Sequence, residues 1–186
     1  MTQSPTSLAE FIIDLSVSIR HAQRDDLPML EWNREMWGYR QLFAQAYEDS
    51  LCGRRLMLIA DVNGIAAGRL FVQLCPGNFH YADGVSRGYL YSLHILPMLQ
   101  GRGIGTQMIE IAEDELRARG FEWVTIAVAV ENSRARSLYE RLGYEVFRKD
   151  ISHWTYYDPD GHAHEVNETC WALKKHLLDA DLSLYD

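Results

Sequence analysis

Apolar and polar positions along the chain follow two periods, and each change of period marks an element. Val17-Ser18-Ile19-Arg20 alternates with period two and predicts a short strand. Leu27, Leu30, Glu31, Trp32 and Met36 then fall on a helical stripe that Asp25 or Asp26 can cap. Gly38 interrupts the stripe, and Tyr39, Leu42, Phe43, Ala46 and Tyr47 restart it, so two consecutive helices are expected, ending near Gly53. Between residues 54 and 75, two apolar runs flank Asn63-Gly64, a dipeptide suited to a type I′ turn because both central residues need positive φ. That predicts an antiparallel hairpin. Residues 75–87 are rich in Gly, Pro and Asn and predict an exposed loop; Gly88 to Leu96 predict a strand that Pro97 stops.

A glycine-rich turn follows, and Ile104, Met108, Ile111 and Ala112 begin a helix expected to end at Gly120. Phe121 to Val130 is apolar and β-branched, as in a buried central strand. Asn132 and Ser133 offer N-cap oxygens to a helix with Ala135, Leu138, Tyr139 and Leu142 on one face and Gly143 after its end. A strand starts at Tyr144 to Phe147, Asp158-Pro159-Asp160-Gly161 is turn chemistry, and the alternating run 166–173 closes a second hairpin. The order βααβββαβαββ predicts an α/β (α+β) domain: a mixed central sheet of about seven strands with helices on both faces.

Composition narrows the class without changing this picture. A length of 186 residues suits one domain at roughly 150 residues each, and 47% hydrophobic with 24% charged residues is ordinary for a globular chain. Eighteen basic against 26 acidic residues leave a net charge of −8, which gives no general attraction to nucleic acid or to an anionic membrane. Cys52, Cys75 and Cys170 are odd in number and form no CxxC pair, so a disulfide framework is not expected and a reducing cytoplasm fits best. Residues 1–16 lack the basic and apolar regions of a secretory signal and read as a leading arm, with the domain over 17–178 and a tail at 179–186.

The strongest chemical signal is Gln100-Gly101-Arg102-Gly103-Ile104-Gly105-Thr106, between a strand and an amphipathic helix. Alternate glycines let the backbone turn sharply and approach a ligand, and the free N–H groups at the helix start form an anion cradle. The Lys of a Walker A loop and the third glycine of a Rossmann fingerprint are both missing. Gly84-Val85-Ser86-Arg87-Gly88 spells a nucleophile elbow, but a loop precedes it and a strand follows, the reverse of what that motif needs. His153, His162 and His164 near Asp158 and Asp160 match no zinc spacing and read as solvated turn residues, so no metal is expected.

Gln100-x-x-Gly103-x-Gly105, followed one helix and one strand later by Asn132-x-x-Ala135-x-x-Leu138-Tyr139-Glu140-x-Leu142-Gly143-Tyr144, resembles the GNAT family of N-acetyltransferases. The resemblance extends back to Ile19-Arg20-His21-Ala22 and forward to Cys170 through Leu177, leaving only the arm outside it. It implies that fold, and acetyl-CoA as the donor of an acetyl group. The pyrophosphate would sit on the N–H groups of Gly101, Arg102, Gly103, Ile104, Gly105 and Thr106, with charge from Arg102; Leu93, Ile95 and Asn132 would hold the pantetheine. Tyr139 matches the family's general acid, and the Leu93 N–H would polarise the thioester. The glutamate that many members use as base falls here on Tyr89, leaving Tyr91, His94, Glu31 or an ordered water as alternatives. Arg134, Arg136 and Arg141 are candidates for the adenosine 3′-phosphate or plain surface charge, and the aromatics at 32, 37, 39 and 47 are core or acceptor-pocket residues. The implied acceptor is a primary amine, which the acidic surplus would favour as a cation, bound by a monomer or homodimer. Use of another acyl-CoA or acceptor, a non-catalytic acyl-CoA-binding module and an unrelated nucleotide-binding domain are the alternatives.

Overall fold

The computed structural model of the protein describes residues 14–32, 37–77, 80–158 and 160–177. The arm up to residue 13, the Met36 position of the first stripe and the tail lie outside the described residues. The first strand, β1 (Val17–His21), leads into a 3₁₀ helix over Arg24–Glu31 instead of the expected α-helix. Pro28 lies inside it, with no N–H to give and a ring that crowds the carbonyl of an α-helical turn. Gln23 stands at the N-cap position, and Asp26, at the third helical position, closes a capping box with it. Asp26 sits one turn in, where Oδ2 accepts the Gln23 N–H at 2.7 Å, and both its oxygens receive the Arg20 guanidinium at 2.7 and 2.8 Å.

A short 3₁₀ turn at Trp37–Tyr39 precedes α1 (Arg40–Leu51). Strands β2 (Arg55–Val62) and β3 (Ile65–Gln73) form the hairpin around Asn63-Gly64, whose φ values of 52° and 84° are those the turn needs. Then come β4 (Arg87–Ile95), α2 (Ile104–Ala118), β5 (Trp123–Ala129), α3 (Ser133–Arg141) and the long hairpin of β6 (Glu145–Tyr157) and β7 (Ala163–His176).

The strands make one seven-stranded sheet in the order β1-β2-β3-β4-β5-β7-β6, with β4 and β5 parallel and the other neighbours antiparallel. Both faces are covered, which is why β2 reads as an unbroken apolar run. Leu56, Leu58 and Ala60 join Leu90, Met108, Leu116, Ile126 and Leu173 beneath α2 and α3, while Met57 and Ile59 join Leu30, Phe43, Ala46 and Phe71 beneath the 3₁₀ helix and α1. The 75–87 loop departs from the expectation of exposure: Tyr81 and Ala82 are buried. Among the described residues no helix is long and apolar enough to cross a membrane.

Candidate functional site

The site begins where the sheet opens. β4 and β5 pair only through Arg87–Trp123, Gly88–Val124, Tyr89–Thr125 and Leu90–Ile126; beyond Leu90 they diverge, and β5 continues on β7 alone. A bulge in β4 marks the divergence. Phe71 faces Tyr91 and Arg69 faces His94, so Ser92 and Leu93 together oppose a single residue of β3, and Ser92 takes a left-handed φ of 56°. Ser92 Oγ is held by Arg69 Nε at 3.0 Å, and the Arg69 guanidinium lies between the rings of Trp32 and Phe43 at 4.6 and 4.7 Å. Burial brings Arg69 down to about 10. A cavity of about 490 Å³ fills the opening, lined by Leu93, His94 and Ile95 on one side and by Asn132, Ala135, Leu138 and Tyr139 on the other.

The glycine-rich turn closes one end. Gly101 and Gly103 have φ of 76° and 84°, a region other residues enter with strain, and Gly103 is the cap residue of α2. The first helical bond is given by Gln107 N–H to Gly103 C=O at 3.0 Å, so the N–H groups of Ile104, Gly105 and Thr106 have no partner inside the helix and point at the cavity's end. Gln100 serves the shape of the turn: Nε2 donates to the Ile95 carbonyl at 3.0 Å and ties the loop to the end of β4. Arg102 is exposed with no acidic partner among the described residues. On α3, Asn132 Oδ1 accepts the Ala135 N–H at 3.0 Å, which leaves its Nδ2 at the cavity wall.

The structure separates the three arginines of α3. Arg134 and Arg141 line the cavity, and Arg134 Nη2 lies 3.9 Å from where a Cβ on Gly101 would stand. Arg136 instead pairs with Glu140 at 2.8 Å and stacks on Trp171. Tyr139 is 6% exposed, and burial pushes its hydroxyl up to about 12.

The base candidates also separate. Tyr91 Oη accepts from the Arg55 guanidinium, Glu31 is held by Arg40 at 2.6 and 3.1 Å, and His94 stacks on Trp32 with centroids 4.5 Å apart. Tyr89 lies between the rings of Tyr81 and Tyr91 at 4.8 and 5.6 Å, and burial raises its hydroxyl far above a normal tyrosine. Sequence reasoning missed Tyr81; its Gly- and Pro-rich surroundings gave no apolar period to find it by. Ser86 of the apparent elbow donates to Asp83 Oδ2 at 2.8 Å and braces its own loop. At the distant hairpin tip, His162 and His164 both contact Asp158 Oδ2, at 3.2 and 2.9 Å, and Asp158, Asp160 and His162 gather within 4.8 Å.

Comparison with known proteins agrees with this geometry. The sequence profile of the Acetyltransferase (GNAT) family matches residues 18–144. A mycothiol acetyltransferase from Beutenbergia cavernae is 47% identical over 57 residues, 31% of this chain and 19% of that protein, so the match spans about a fifth of its length. Among solved structures, the ribosomal-protein-S18-alanine N-acetyltransferase from Escherichia coli superposes with a TM-score of 0.66 at 21% identity, covering 92% of this chain and all of that one. The PaiA N-acetyltransferase from Thermoplasma acidophilum, in complex with coenzyme A, gives 0.67 at 18% identity over 87% of this chain and 99% of its own.

Proposed function

Since the chain belongs to the acetyltransferase (GNAT) family, we propose that it moves the acetyl group of acetyl-CoA to a primary amine by direct attack, without a covalent enzyme intermediate. The observation that carries this reading is the opening between β4 and β5, with unpaired helix N–H groups at one end and a buried tyrosine hydroxyl on its wall.

Residues present fit the donor. The N–H groups of Gly103 to Thr106 and the side chains of Arg102, Arg134 and Arg141 receive the phosphates, Asn132 Nδ2 meets a pantetheine amide, and the β4 edge at Leu93 and Ile95 meets the rest. The bulge at Ser92 turns the Leu93 backbone out of its ladder, where its N–H stabilises charge growing on the thioester oxygen. Tyr139, protonated far beyond neutral pH, donates to the departing thiolate as the C–N bond forms and the C–S bond breaks. Cys52, Cys75 and Cys170 are all free, which supports a reducing, cytoplasmic setting.

Tyr89 in place of the family's glutamate favours a second reading, a non-catalytic acyl-CoA-binding module. A thiol-release assay with acetyl-CoA against polyamines, aminoglycosides, amino acids and peptides separates the two. Amine-dependent thiol release is expected; coenzyme A binding with no release for any amine would leave the module.

A further inference from the structure

The bulge in β4 changes which side chains meet the open end of the sheet. Phe71 and Arg69, two residues apart on β3, share a face, and their partners across the ladder are Tyr91 and His94. Strict alternation from Tyr89 and Tyr91 would put Leu93 on that face. The extra residue hands the position to His94 and turns Leu93 to the other face, where it packs with the core beneath α2 and α3. Ring contacts agree: Tyr91 meets Phe71 edge-on at 5.5 Å, and His94 stacks on Trp32 at 4.5 Å, on the side covered by the 3₁₀ helix and α1. His94 therefore shares a face with Tyr89 but stands beside Leu93, where Tyr89 is four residues away.

The ring is braced there and still reaches the site. Trp32 Nε1 donates to the Ala66 carbonyl of β3 at 2.9 Å, which fixes the indole on which His94 lies. His94 itself is half-buried and lines the cavity together with Leu93 and Tyr139. The ionisable groups around it are Arg69 opposite on β3, Tyr91 on β4, and Arg134, Tyr139 and Arg141 of α3 on the cavity wall. Glu31 of the 3₁₀ helix is engaged by Arg40, and Tyr91 by Arg55. An imidazole ordinarily titrates between about pH 5 and pH 8, so it can accept a proton at neutral pH and give it up again. The buried Tyr89 hydroxyl keeps its own proton far beyond that range.

We propose that His94 is a catalytic residue, the base that takes the proton an acceptor ammonium loses before it attacks. The proposal rests on the acetyl-transfer reading and supplies the group that Tyr89 cannot provide: the base moves along β4 to the residue after the bulge. The neutral ring accepts one proton from the ammonium, and the freed lone pair forms the C–N bond to the thioester carbon. The C–S bond breaks as Tyr139 gives its proton to sulfur. The second proton shed by the new amide nitrogen returns to the Tyr139 oxygen, and the half-buried imidazolium passes its proton to water. Amide, coenzyme A thiol and one released proton balance the step.

The test compares the parent chain with His94→Gln and His94→Ala from neutral to alkaline pH, using the panel amine, protonated at neutral pH, that the parent acetylates fastest. At neutral pH each variant is expected to lose about 10²-fold in kcat/KM for the amine. The parent should level off above the imidazole range, whereas the variants should climb about ten-fold per pH unit toward the amine's own pKa, near ~10.4 for a lysine-like amine. Imidazole added to the buffer should restore rate to His94→Ala and leave the parent unmoved. Coenzyme A binding, unchanged in both variants, reports that they fold. A loss of equal size at every pH would assign the ring to packing and overturn the base, as would transfer within about three-fold of the parent at neutral pH. A parent chain that acetylates no amine of the panel would overturn the acetyl-transfer reading itself.

Discussion

At the scale of single residues, Tyr139 and Arg134 offer the sharpest contrasts. Burial keeps the Tyr139 hydroxyl protonated up to about 12, so if it is the acid proposed above, kcat should show no loss of that acid between about pH 8 and pH 10, where an ordinary tyrosine starts to ionise. Tyr139→Phe should lower kcat about 10²-fold while KM for acetyl-CoA stays within about two-fold, read from steady-state kinetics. A change confined to KM would sink the donor role. Arg134→Ala should raise KM for acetyl-CoA about five-fold, the worth of one exposed charge-assisted bond to the proposed donor, whereas Arg136→Ala should leave it unmoved because Glu140 and Trp171 already engage that side chain. The chain's sequence placed these arginines together; only the fold separates them, since it sets which flank of α3 meets the glycine turn. Gly103 and Asn132 were legible because a positive φ and a helix cap are local requirements. Tyr81 was not, because its neighbours Thr125 and Tyr89 reach it across the sheet.

At the scale of elements, the hydrophobic periods found every strand and both long helices, and they failed where a contact distant in sequence intervened. The stripe from Leu27 to Trp32 has helical spacing, yet Pro28 and the grip of Arg20 on Asp26 wind it as 3₁₀. β6 runs to Tyr157, well past its apolar start, because β7 supplies a partner along its whole length. Gly38 shows the same dependence. A Cβ there would stand 2.4 Å from the Tyr157 carbonyl oxygen and 3.0 Å from the Tyr156 ring, and a backbone oxygen in a strand cannot swing aside. Gly38→Ala should destabilise by about 1–3 kcal/mol, seen as a fall of several degrees in Tm; an unchanged Tm would mean that the 3₁₀ turn does not hold against β6.

For the whole molecule, buried charge ties helix layer to sheet. Glu113, 2% exposed on α2, accepts Tyr144 Oη at 2.9 Å and Lys175 Nζ of β7 at 2.6 Å. Glu113→Ala would strand both donors and should cost about 3 kcal/mol in denaturant unfolding. On the opposite flank, burial works to raise Asp26 but Arg20 and the Gln23 N–H outweigh it; burial likewise opposes Arg54, Gln45 and Arg55 at Asp49; and Arg20 and the Gly64 N–H lower Asp61. All three titrate below the unfolded value of ~3.9, so the stability they supply is complete above it and is lost as pH falls through their folded values. Thermal scans should therefore hold steady above about pH 5 and decline below about pH 4, and a Tm that rose on acidification would contradict these pairings. The net charge of −8 says nothing of this arrangement.

The shallow joint of the sheet has a mechanical consequence. Within the sheet, β4 and β5 share four register pairs, against eight between β2 and β3. Strain applied across the molecule concentrates there, so the first amides to exchange with deuterium among the central strands should be those of Tyr91 to Ile95. A molecule wedged between the halves acts as a splint: saturating coenzyme A should slow that exchange and leave the β2–β3 hairpin untouched.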